Sequence, residues 1–299
     1  MSRRGLHRPA TTHSGSRVTS PSLKRSPDSL IHLTLAIIVQ WYTDNPQGTR
    51  YMTTPLPGNG VRPLLSVVIP AYNEEQRLPE SLPQIVSFVQ QQDYPIEVIV
   101  VDDGSDDRTA DIVREFQSQA PFIALIQVEH GGKGHAVRAG MLRASGEYLF
   151  LCDSDLSMPI AEVSKFLPSV AGEYDVAIAS REVAGARRYN EPTYRHLMGR
   201  VFNLIVRLLA VHGIHDTQAG FKCFRREAAQ EIFRLQTIKG WGFDVECLFI
   251  AQRRGMRIIE IPINWYYKER SQIRPLQDTY RMLFEVLRVR MNACRGMYR

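Results

Sequence analysis

The chain has 299 residues, of which 44% are hydrophobic and 23% are charged, a composition typical of a globular protein with a sizeable core. Its net charge of +6 divides into +5 for residues 1–51, −6 for residues 52–250 and +7 for residues 251–299. The four cysteines form no C-x-x-C pair, which argues against structural zinc or a disulfide framework and for a reducing cytosolic setting. The acidic middle predicts a bound metal cation. The basic end predicts contact with phosphate or an anionic membrane, with a merely solvated basic face as the alternative.

The first 60 residues differ from the rest of the chain. Residues 1–29 are rich in Ser, Thr, Arg and Pro, which is typical of a disordered or leader-like segment. The apolar residues 30–42 that follow include His32 and Thr34 and are fewer than the roughly 18 needed to span a bilayer. We therefore expect the folded domain to begin near Leu64. If the protein works at a membrane, we expect it to lie on the membrane surface rather than to span it.

From Leu64 onward, apolar segments alternate with segments of helical periodicity. Five apolar runs have the length and composition of strands buried on both faces, at residues 64–72, 96–105, 122–129, 147–155 and 174–181. The segments between them have helical spacing, including residues 159–171. This alternation predicts a three-layer α/β domain with a mostly parallel central sheet over residues 64–267.

Each predicted strand is followed by polar residues, which read NEE, DDGSDD, HGGKG, DSD and SR in chain order. Ligands of parallel α/β sheets bind beyond the carboxyl ends of the strands, so five clusters at one edge predict a ligand site there. No G-x-G-x-x-G or Walker sequence follows the first strand, which argues against a dinucleotide site or a P-loop.

The fourth cluster contains two carboxylates, Asp153 and Asp155, one residue apart. In an extended backbone both side chains point to the same side, where they repel each other unless a cation lies between them. Mg²⁺ and Mn²⁺ take oxygen ligands and prefer one or two carboxylates together with substrate phosphates. The pair therefore predicts a divalent metal that neutralises a diphosphate leaving group.

The other clusters offer groups to a nucleotide. Tyr72 and Glu74 follow the first strand, although a helix start capped by Asn73 is an alternative interpretation of this segment. Further groups suited to a base, a ribose or a phosphate are Asp102, Asp103 and Lys133.

Four segments together resemble the nucleotide-sugar half of glycosyltransferase family 2, which has the GT-A fold: LSVVIPAYNEE, VIVVDDGSDDRT, GGKGHAVRAGM and CDSDLSMP. Two later segments, DTQAGFKCFRRE and WGFDVECLFIAQRRG, resemble the branch that transfers sugars to lipid phosphates, and the first looks more like the glucosyl than the mannosyl enzymes. The resemblance covers residues 64–267. It implies an inverting hexosyl transfer, with UDP-glucose as the best-matching nucleotide-sugar donor and a dolichyl or polyprenyl phosphate as acceptor.

The resemblance also implies roles for individual residues. Contacts to the nucleotide fall to Pro70, Ala71, Tyr72, Glu74, Asp102, Asp103, Lys133 and Asp153. Asp153 and Asp155 would hold the diphosphate through Mg²⁺ or Mn²⁺. Contacts to the sugar or the acceptor phosphate fall to Arg181, Arg195, Arg200, Gln218 and Arg270. For Arg195 and Arg200 a solvated helix charge is the alternative.

One segment departs from the family pattern. Where the family has a Gly-Ser-Lys turn after the late strand, this chain has KERSQI, with Arg270 in place of the glycine and Gln272 in place of the lysine. Arg270 or Arg274 would then supply the positive charge that the family's lysine provides near the acceptor. This departure concerns the acceptor more than the donor.

Asp244 is the candidate catalytic carboxylate. A hydroxyl acceptor needs such a base, whereas a lipid phosphate is already largely anionic at neutral pH. We therefore expect Asp244 to act as the base or to orient the acceptor, with a helix N-cap as the alternative. Two other functions stay open: transfer to a saccharide or small-molecule hydroxyl, and a non-catalytic nucleotide-binding regulator. Nucleic acid is not an expected partner.

Residues 275–297 predict an amphipathic C-terminal helix. Its apolar stripe comprises Leu276, Tyr280, Leu283, Phe284, Leu287, Met291 and Cys294. A neighbouring face carries Arg281, Arg288, Arg295 and Arg299. The stripe either packs on the domain or lies in a membrane interface with the arginines at anionic head groups. The second interpretation predicts a cytosolic protein held peripherally at a membrane.

Overall fold

A computed structural model of the chain describes residues 52–53, 62–268 and 275–299, and side chains within the last range from residue 280. The expectations for the N-terminal segment, apart from residues 52–53, lie outside these residues. The same holds for Arg270, Gln272 and Arg274.

The described elements follow the predicted alternation. The strands are β1 (Met52–Thr53), β2 (Leu65–Ala71), β3 (Ile96–Asp102), β4 (Ile123–Gln127), β5 (Tyr148–Leu151), β6 (Val176–Ser180), β7 (Arg187–Tyr189), β8 (Lys222–Arg225), β9 (Ile258–Pro262) and β10 (Asn264–Tyr266). The α-helices are α1 (Leu78–Gln90), α2 (Thr109–Gln119), α3 (Lys133–Arg143), α4 (Pro168–Ala171), α5 (Thr193–Leu209), α6 (Arg226–Leu235), α7 (Phe243–Arg253) and α8 (Pro275–Cys294).

Eight strands form one sheet in the order β1-β4-β3-β2-β5-β8-β6-β9. Strand β2 pairs in parallel with β3 and β5, and β4 continues the parallel arrangement beyond β3. Strand β8 runs antiparallel to both of its neighbours, β5 and β6, and β7 pairs with β10 in a separate small sheet. The predicted mostly parallel α/β sheet is confirmed.

Alternating side chains of the strands divide the core into two layers. Val68, Ile99 and Leu149 point to the layer shared with α3, α6, α7 and α8. Their neighbours Val67 and Phe150 point to the layer on the opposite face, shared with α1 and α2. Both layers are apolar because these strands are buried on both faces, as their continuous apolar runs predict.

The predicted helix over residues 159–171 is wrong in part. A 3₁₀ helix covers Ile160–Phe166, and the single-turn helix α4 follows it. Leu167 separates the two with an extended backbone (φ −70°, ψ 143°). The break has a local cause, since a residue that precedes a proline disfavours the helical region, and Pro168 follows.

The parallel strands place the five predicted polar clusters at one edge of the sheet. Strands β2 to β5 are mutually parallel, and β6 has the same direction because it is antiparallel to β8, which is antiparallel to β5. Their carboxyl ends therefore share an edge, called here the carboxyl edge.

Helix α8 packs on the domain with a face that the stripe does not include. Val286, Val289 and Ala293 are buried, whereas Phe284 and Met291 of the apolar stripe are exposed. The interpretation that the apolar stripe packs on the domain is therefore wrong for Phe284 and Met291. Among the described residues, none of the helices combines the length and the apolar character that crossing a bilayer requires.

The contact between α3 and the sheet gives a prediction about stability. A Cβ atom at Gly140 would lie 2.5 Å from Val68 Cγ1 and 2.8 Å from Val101 Cγ2, both in the core. We expect Gly140→Ala to lower the free energy of unfolding by about 1 to 3 kcal/mol through overpacking. Urea unfolding followed by circular dichroism measures this change.

The control is Gly199→Ala in α5, where a Cβ atom meets nothing within 4 Å. This substitution should stabilise the protein by about 0.5 to 1 kcal/mol, because alanine favours a helix over glycine. Equal effects of the two substitutions would contradict the close approach at Gly140.

Candidate active site

A cavity of about 320 Å³ opens at the carboxyl edge. Seven of the predicted site residues line it: Lys133, Asp153, Asp155, Arg181, Arg195, Gln218 and Asp244. Helix α5 forms another part of the wall, and Met282 of α8 also reaches it. Residues from Lys133 to Met282, about half the chain apart in sequence, thus meet at one site.

The two carboxylates of the DSD cluster reach the cavity from a turn. Strand β5 ends at Leu151, so the extended backbone expected at Asp153 and Asp155 is not present. The chain turns there, with Leu156 at a φ of 47° and with Ser157 N–H donating to Asp155 Oδ1 over 2.8 Å. Both carboxylates nevertheless line the same cavity.

Lys133 connects the glycine-rich loop to the DSD cluster. Its Nζ donates to Asp153 Oδ1 over 2.6 Å and lies 4.9 Å from the ring centroid of Trp241. Burial alone would lower the pKa of Lys133, but the surrounding carboxylates Asp153, Asp244 and Asp155 raise it. The ammonium is therefore fixed in its charged form beside the carboxylates.

The second oxygen of Asp153 lies against a glycine. A Cβ atom at Gly220 would be only 1.7 Å from Asp153 Oδ2. Any side chain at position 220 would therefore displace the carboxylate, so Gly220 is required for its position.

Asp244 pairs with a buried lysine. Lys222 Nζ donates to Asp244 Oδ1 and to the carbonyl of Ala219, both over 2.6 Å, and Lys222 is 0% exposed. Burial raises the pKa of Asp244, and the ammonium groups of Lys222 and Lys133 oppose that rise. Lys222 thus favours the carboxylate form at a site where burial disfavours it.

Arg181 is held by a carboxylate as well. Its Nε and Nη2 donate to the two oxygens of Asp216 over 2.7 and 3.0 Å, and its guanidinium lies 5.2 Å from the Trp265 ring centroid. Burial would raise the pKa of Asp216, but Arg181 holds it at about 2. A depressed carboxyl pKa stabilises the fold at neutral pH, and this contribution is lost as the pH falls from about 4 towards 2.

The other residues predicted for the sugar and the acceptor have different positions. The guanidinium of Arg195 lies 5.2 Å from the ring centroid of Tyr267 at the cavity wall. Gln218 also lines the cavity, and its Nε2 has no hydrogen-bond partner among the described residues. Arg200 is exposed on α5 and does not line the cavity.

The other predicted nucleotide residues lie at the ends of β2 and β3, along the carboxyl edge. Pro70 and Ala71 end β2, and the next residue, Tyr72, stacks on His130 with ring centroids 4.2 Å apart. Glu74 is buried, which raises its pKa against the opposing charge of Arg77.

The two adjacent aspartates at the carboxyl end of β3 are buried and accept hydrogen bonds from neighbouring segments. Asp103 accepts hydrogen bonds from Gly131 N–H over 3.0 Å and Gly132 N–H over 2.8 Å. Asp102 accepts from Ser105 N–H and from the Gln127 side chain. These contacts shape the glycine-rich loop, and they are an alternative to the direct nucleotide contacts that the resemblance implies.

Helix α8 supports the segment that carries Asp244. Glu285 accepts a hydrogen bond from Gly242 N–H over 2.6 Å. Asn292 donates to Thr237 Oγ1 over 2.9 Å, and Tyr298 donates to the buried Glu246 over 2.5 Å. The segment from residue 237 to 246 thus depends on contacts with the last elements of the described chain.

Several residues of this site were not predicted from the sequence, among them Asp216, Gly220, Lys222, Trp241 and Trp265. A lysine between apolar residues in GFKCF was the one available signal, because a charge inside a buried strand needs a partner.

A mostly parallel α/β sheet with paired carboxylates beside a polar cavity at its carboxyl edge is the architecture of nucleotide-sugar glycosyltransferases with the GT-A fold. The family model "Glycosyl transferase family 2" matches residues 66–233, more than half of the chain. The chain belongs to this family, and it is a glycosyltransferase.

Two proteins that are similar to this chain are both named dolichyl-phosphate beta-glucosyltransferase. A dolichyl-phosphate beta-glucosyltransferase, ALG5C, of Trichomonas vaginalis is 38% identical over 210 residues, which cover 66% of this chain and 62% of that protein. The human dolichyl-phosphate beta-glucosyltransferase is 34% identical over 252 residues, which cover 79% of this chain and 77% of that protein. The chain therefore spans less than two thirds of the Trichomonas protein and about three quarters of the human one.

One solved structure supports the fold. The glucosyl-3-phosphoglycerate synthase of Mycobacterium tuberculosis, crystallised with Mn²⁺, UDP-glucose and phosphoglyceric acid, superposes with a TM-score of 0.55 at 21% identity. The match covers 77% of this chain and 79% of that chain.

The buried pair at Asp244 gives a prediction about pH dependence. Without Lys222, burial raises the pKa of Asp244 further, so less of the carboxylate exists at neutral pH. We expect Lys222→Met to lower kcat at least about tenfold at pH 7, with partial recovery as the pH rises. The pH profile of kcat for sugar transfer measures this effect.

The control is Arg225→Met on the same strand, whose side chain is 48% exposed. It should leave the pH profile unchanged and alter stability by less than about 0.5 kcal/mol. A uniform loss of activity at all pH values in Lys222→Met would contradict the role assigned to Lys222.

Proposed function

We propose that the protein transfers glucose from UDP-glucose to the phosphate of a dolichyl or polyprenyl lipid, with inversion at the anomeric carbon. One observation carries this proposal: the cavity extends from the carboxylates Asp153 and Asp155 to Met198 and Met282, which lie on helices with exposed apolar faces. A polar donor and an acceptor with a long apolar tail fit these two ends. The activity in the names of the two relatives also supports it.

The donor end suits a divalent metal. In the part of the chain that the structure describes, no cluster of three or more His, Cys, Asp or Glu side chains is arranged to hold a metal. We infer that Asp153 and Asp155 would supply the protein's ligands, which fits Mg²⁺ or Mn²⁺ because these ions complete their coordination with substrate phosphates and water. When bound, the metal supplies positive charge that stabilises the departing diphosphate.

The chain's own residues complete the donor site. Lys133 places a second positive charge next to Asp153, where the diphosphate of the donor would lie. The nucleotide would lie along Pro70, Ala71, Tyr72 and Glu74. The Nε2 of Gln218, which is without a hydrogen-bond partner in the described part of the chain, is suited to donate to a sugar hydroxyl.

The reaction is a direct displacement. An anionic oxygen of the lipid phosphate attacks the anomeric carbon from the side opposite UDP, and the bond from that carbon to the UDP oxygen breaks. The phosphate needs no base, because it is already anionic at neutral pH. Lys222 donates to Asp244 Oδ1 and so fixes the direction of this carboxylate, which suits a role in orienting the acceptor.

We place this reaction at the cytosolic face of a membrane, with the protein held peripherally. A polyprenyl tail is insoluble in water, so an enzyme that uses it has to meet the bilayer surface. Arg195 at the cavity wall is suited to bind the lipid phosphate.

The proposal is tested with purified protein, UDP-glucose, Mn²⁺ and a short polyprenyl phosphate, by chromatographic detection of a lipid-linked sugar. The expected product is the glucosylated lipid phosphate. UDP binding without transfer to this acceptor or to any saccharide would instead identify a non-catalytic regulator.

The proposed metal role of Asp155 predicts that transfer depends on this carboxylate. We expect Asp155→Ala to lower the rate of transfer roughly a hundredfold or more, because charge on the leaving group is no longer neutralised. EDTA should have the same effect on the unaltered protein. The control is Asp111→Ala, since the Asp111 carboxylate is 64% exposed on α2 and pairs with Arg114. Full activity in EDTA would contradict the metal role.

The donor gives the second prediction. We expect UDP to bind more tightly than GDP, because the chain is similar to glucosyltransferases that are named for dolichyl phosphate and resembles the glucosyl branch in DTQAGFK. Isothermal titration calorimetry in the presence of Mn²⁺ measures both affinities. Tighter binding of GDP would overturn the assignment of the donor.

A further inference from the structure

Exposed apolar side chains are concentrated on two helices. Of the 13 large hydrophobic side chains that are exposed in the described part of the chain, ten lie on α5 or α8. Each helix carries a row at the spacing i, i+4, i+7 and i+11, which places the row on one face. The α5 row is Leu197, Val201, Leu204 and Leu208, and the α8 row is Tyr280, Phe284, Leu287 and Met291.

The exposure of these rows does not result from loose attachment of the helices. On α8 the opposite face is buried through Val286, Val289 and Ala293, while Phe284 is 71% exposed. On α5 the opposite face contributes Arg195 and Phe202 to the cavity wall, while Leu208 is 71% exposed. Helix α8 packs against α5, so the two rows belong to one pair of helices. We call the eight side chains of the two rows the α5–α8 apolar surface.

Positive charges accompany the two rows. On α8, Arg281 and Arg288 are seven residues apart and flank one side of the row, and Arg295, directly after the helix, continues this spacing. On α5, Arg200 and Arg207 lie beside the row, and this helix has no Asp or Glu. An apolar face flanked by arginines is complementary to an anionic bilayer, whose head groups attract the cations while its acyl region accepts the apolar side chains.

The same two helices connect this surface to the active site. Met198 and Phe202 of α5 and Met282 of α8 line the cavity that contains Asp153. A lipid phosphate whose tail stays in the bilayer can therefore reach the cavity along the wall that these helices form. This path for a lipid phosphate rests on the proposed function, whereas the apolar and charged composition of the surface does not.

We propose that the α5–α8 apolar surface docks on an anionic phospholipid bilayer and presents the cavity to lipid phosphates in it. Leu204, Leu208, Phe284 and Leu287 enter the interface, and the flanking arginines contact the head groups. A second copy of the chain is a weaker fit, because a symmetric dimer through this surface would bring arginines together.

The test is co-sedimentation of the full-length protein with vesicles of phosphatidylcholine and phosphatidylserine, without any substrate. We expect binding that weakens as salt rises. The quadruple variant Leu204→Ser, Leu208→Ser, Phe284→Ser and Leu287→Ser should lower the partition coefficient roughly tenfold or more. Its control is Val170→Ser, which removes a 68% exposed side chain from α4 and should bind as the unaltered protein does.

The contribution of the arginines to vesicle binding is tested with a second variant and its own control. Arg281→Glu with Arg295→Glu should weaken binding to anionic vesicles and leave weak binding to neutral vesicles unchanged. Arg108→Glu is the control, because this residue is 68% exposed at the start of α2, which contributes to the core layer on the other face of the sheet.

Three outcomes would overturn the proposal. These are absent binding of the unaltered protein to anionic vesicles, equal binding of the quadruple variant, and conversion of a dimer to a monomer in that variant with vesicle binding unchanged. Transfer to a short, dispersed polyprenyl phosphate separates the docking surface from the proposed function. The quadruple variant should keep that activity and lose transfer to long-chain acceptors in vesicles, whereas a wrong function would leave both forms inactive.

Discussion

A charge buried at the carboxyl edge of the sheet is stable only beside an opposite charge, and the active site is built from such pairs. Lys133 pairs with Asp153, Lys222 with Asp244, and Arg181 with Asp216, each with a contact of 2.6 to 2.7 Å. An isolated charge in these positions would cost several kcal/mol, so each partner requires the other. The pairs also orient three of the carboxylates that face the cavity, Asp153, Asp216 and Asp244. One pair joins α3 to the DSD turn, and another joins β8 to α7.

The sequence predicted the sheet well because its strands are continuous apolar runs, and parallel pairing then placed the polar clusters at one edge. Strand β8 was missed because only two apolar residues lie between Lys222 and Arg225. The DSD turn was predicted as extended, and the backbone of Leu156 at positive φ has no signal in a single sequence. Pairing partners such as Lys222 and Asp244 are 22 residues apart, and their contact follows from the three-dimensional fold rather than from local pattern.

The C-terminal helix shows a different limit. Its amphipathic pattern was clear, yet the pattern alone left two interpretations open. The buried face turned out to contain Val286, Val289 and the polar Asn292, so the helix has two apolar faces of unequal strength. The spacing of apolar residues identifies the more apolar face of the helix. It does not show which of the two faces packs on the domain. Only the packing of α8 on α7 and α5 decides this.

The contacts of α8 with residues 237–246 also bear on the order in which the enzyme assembles. Strands β2 to β5 can pair with one another while the ribosome is still adding the rest of the chain, because these four strands are then already present. The segment that carries Asp244 has to wait, since its supports Glu285, Asn292 and Tyr298 lie 43 to 55 positions further along. Contacts of such long sequence separation form late, because closing the loop costs entropy before any contact compensates for it. A nascent chain therefore holds the paired strands β2 to β5 before it holds the contacts that support Asp244.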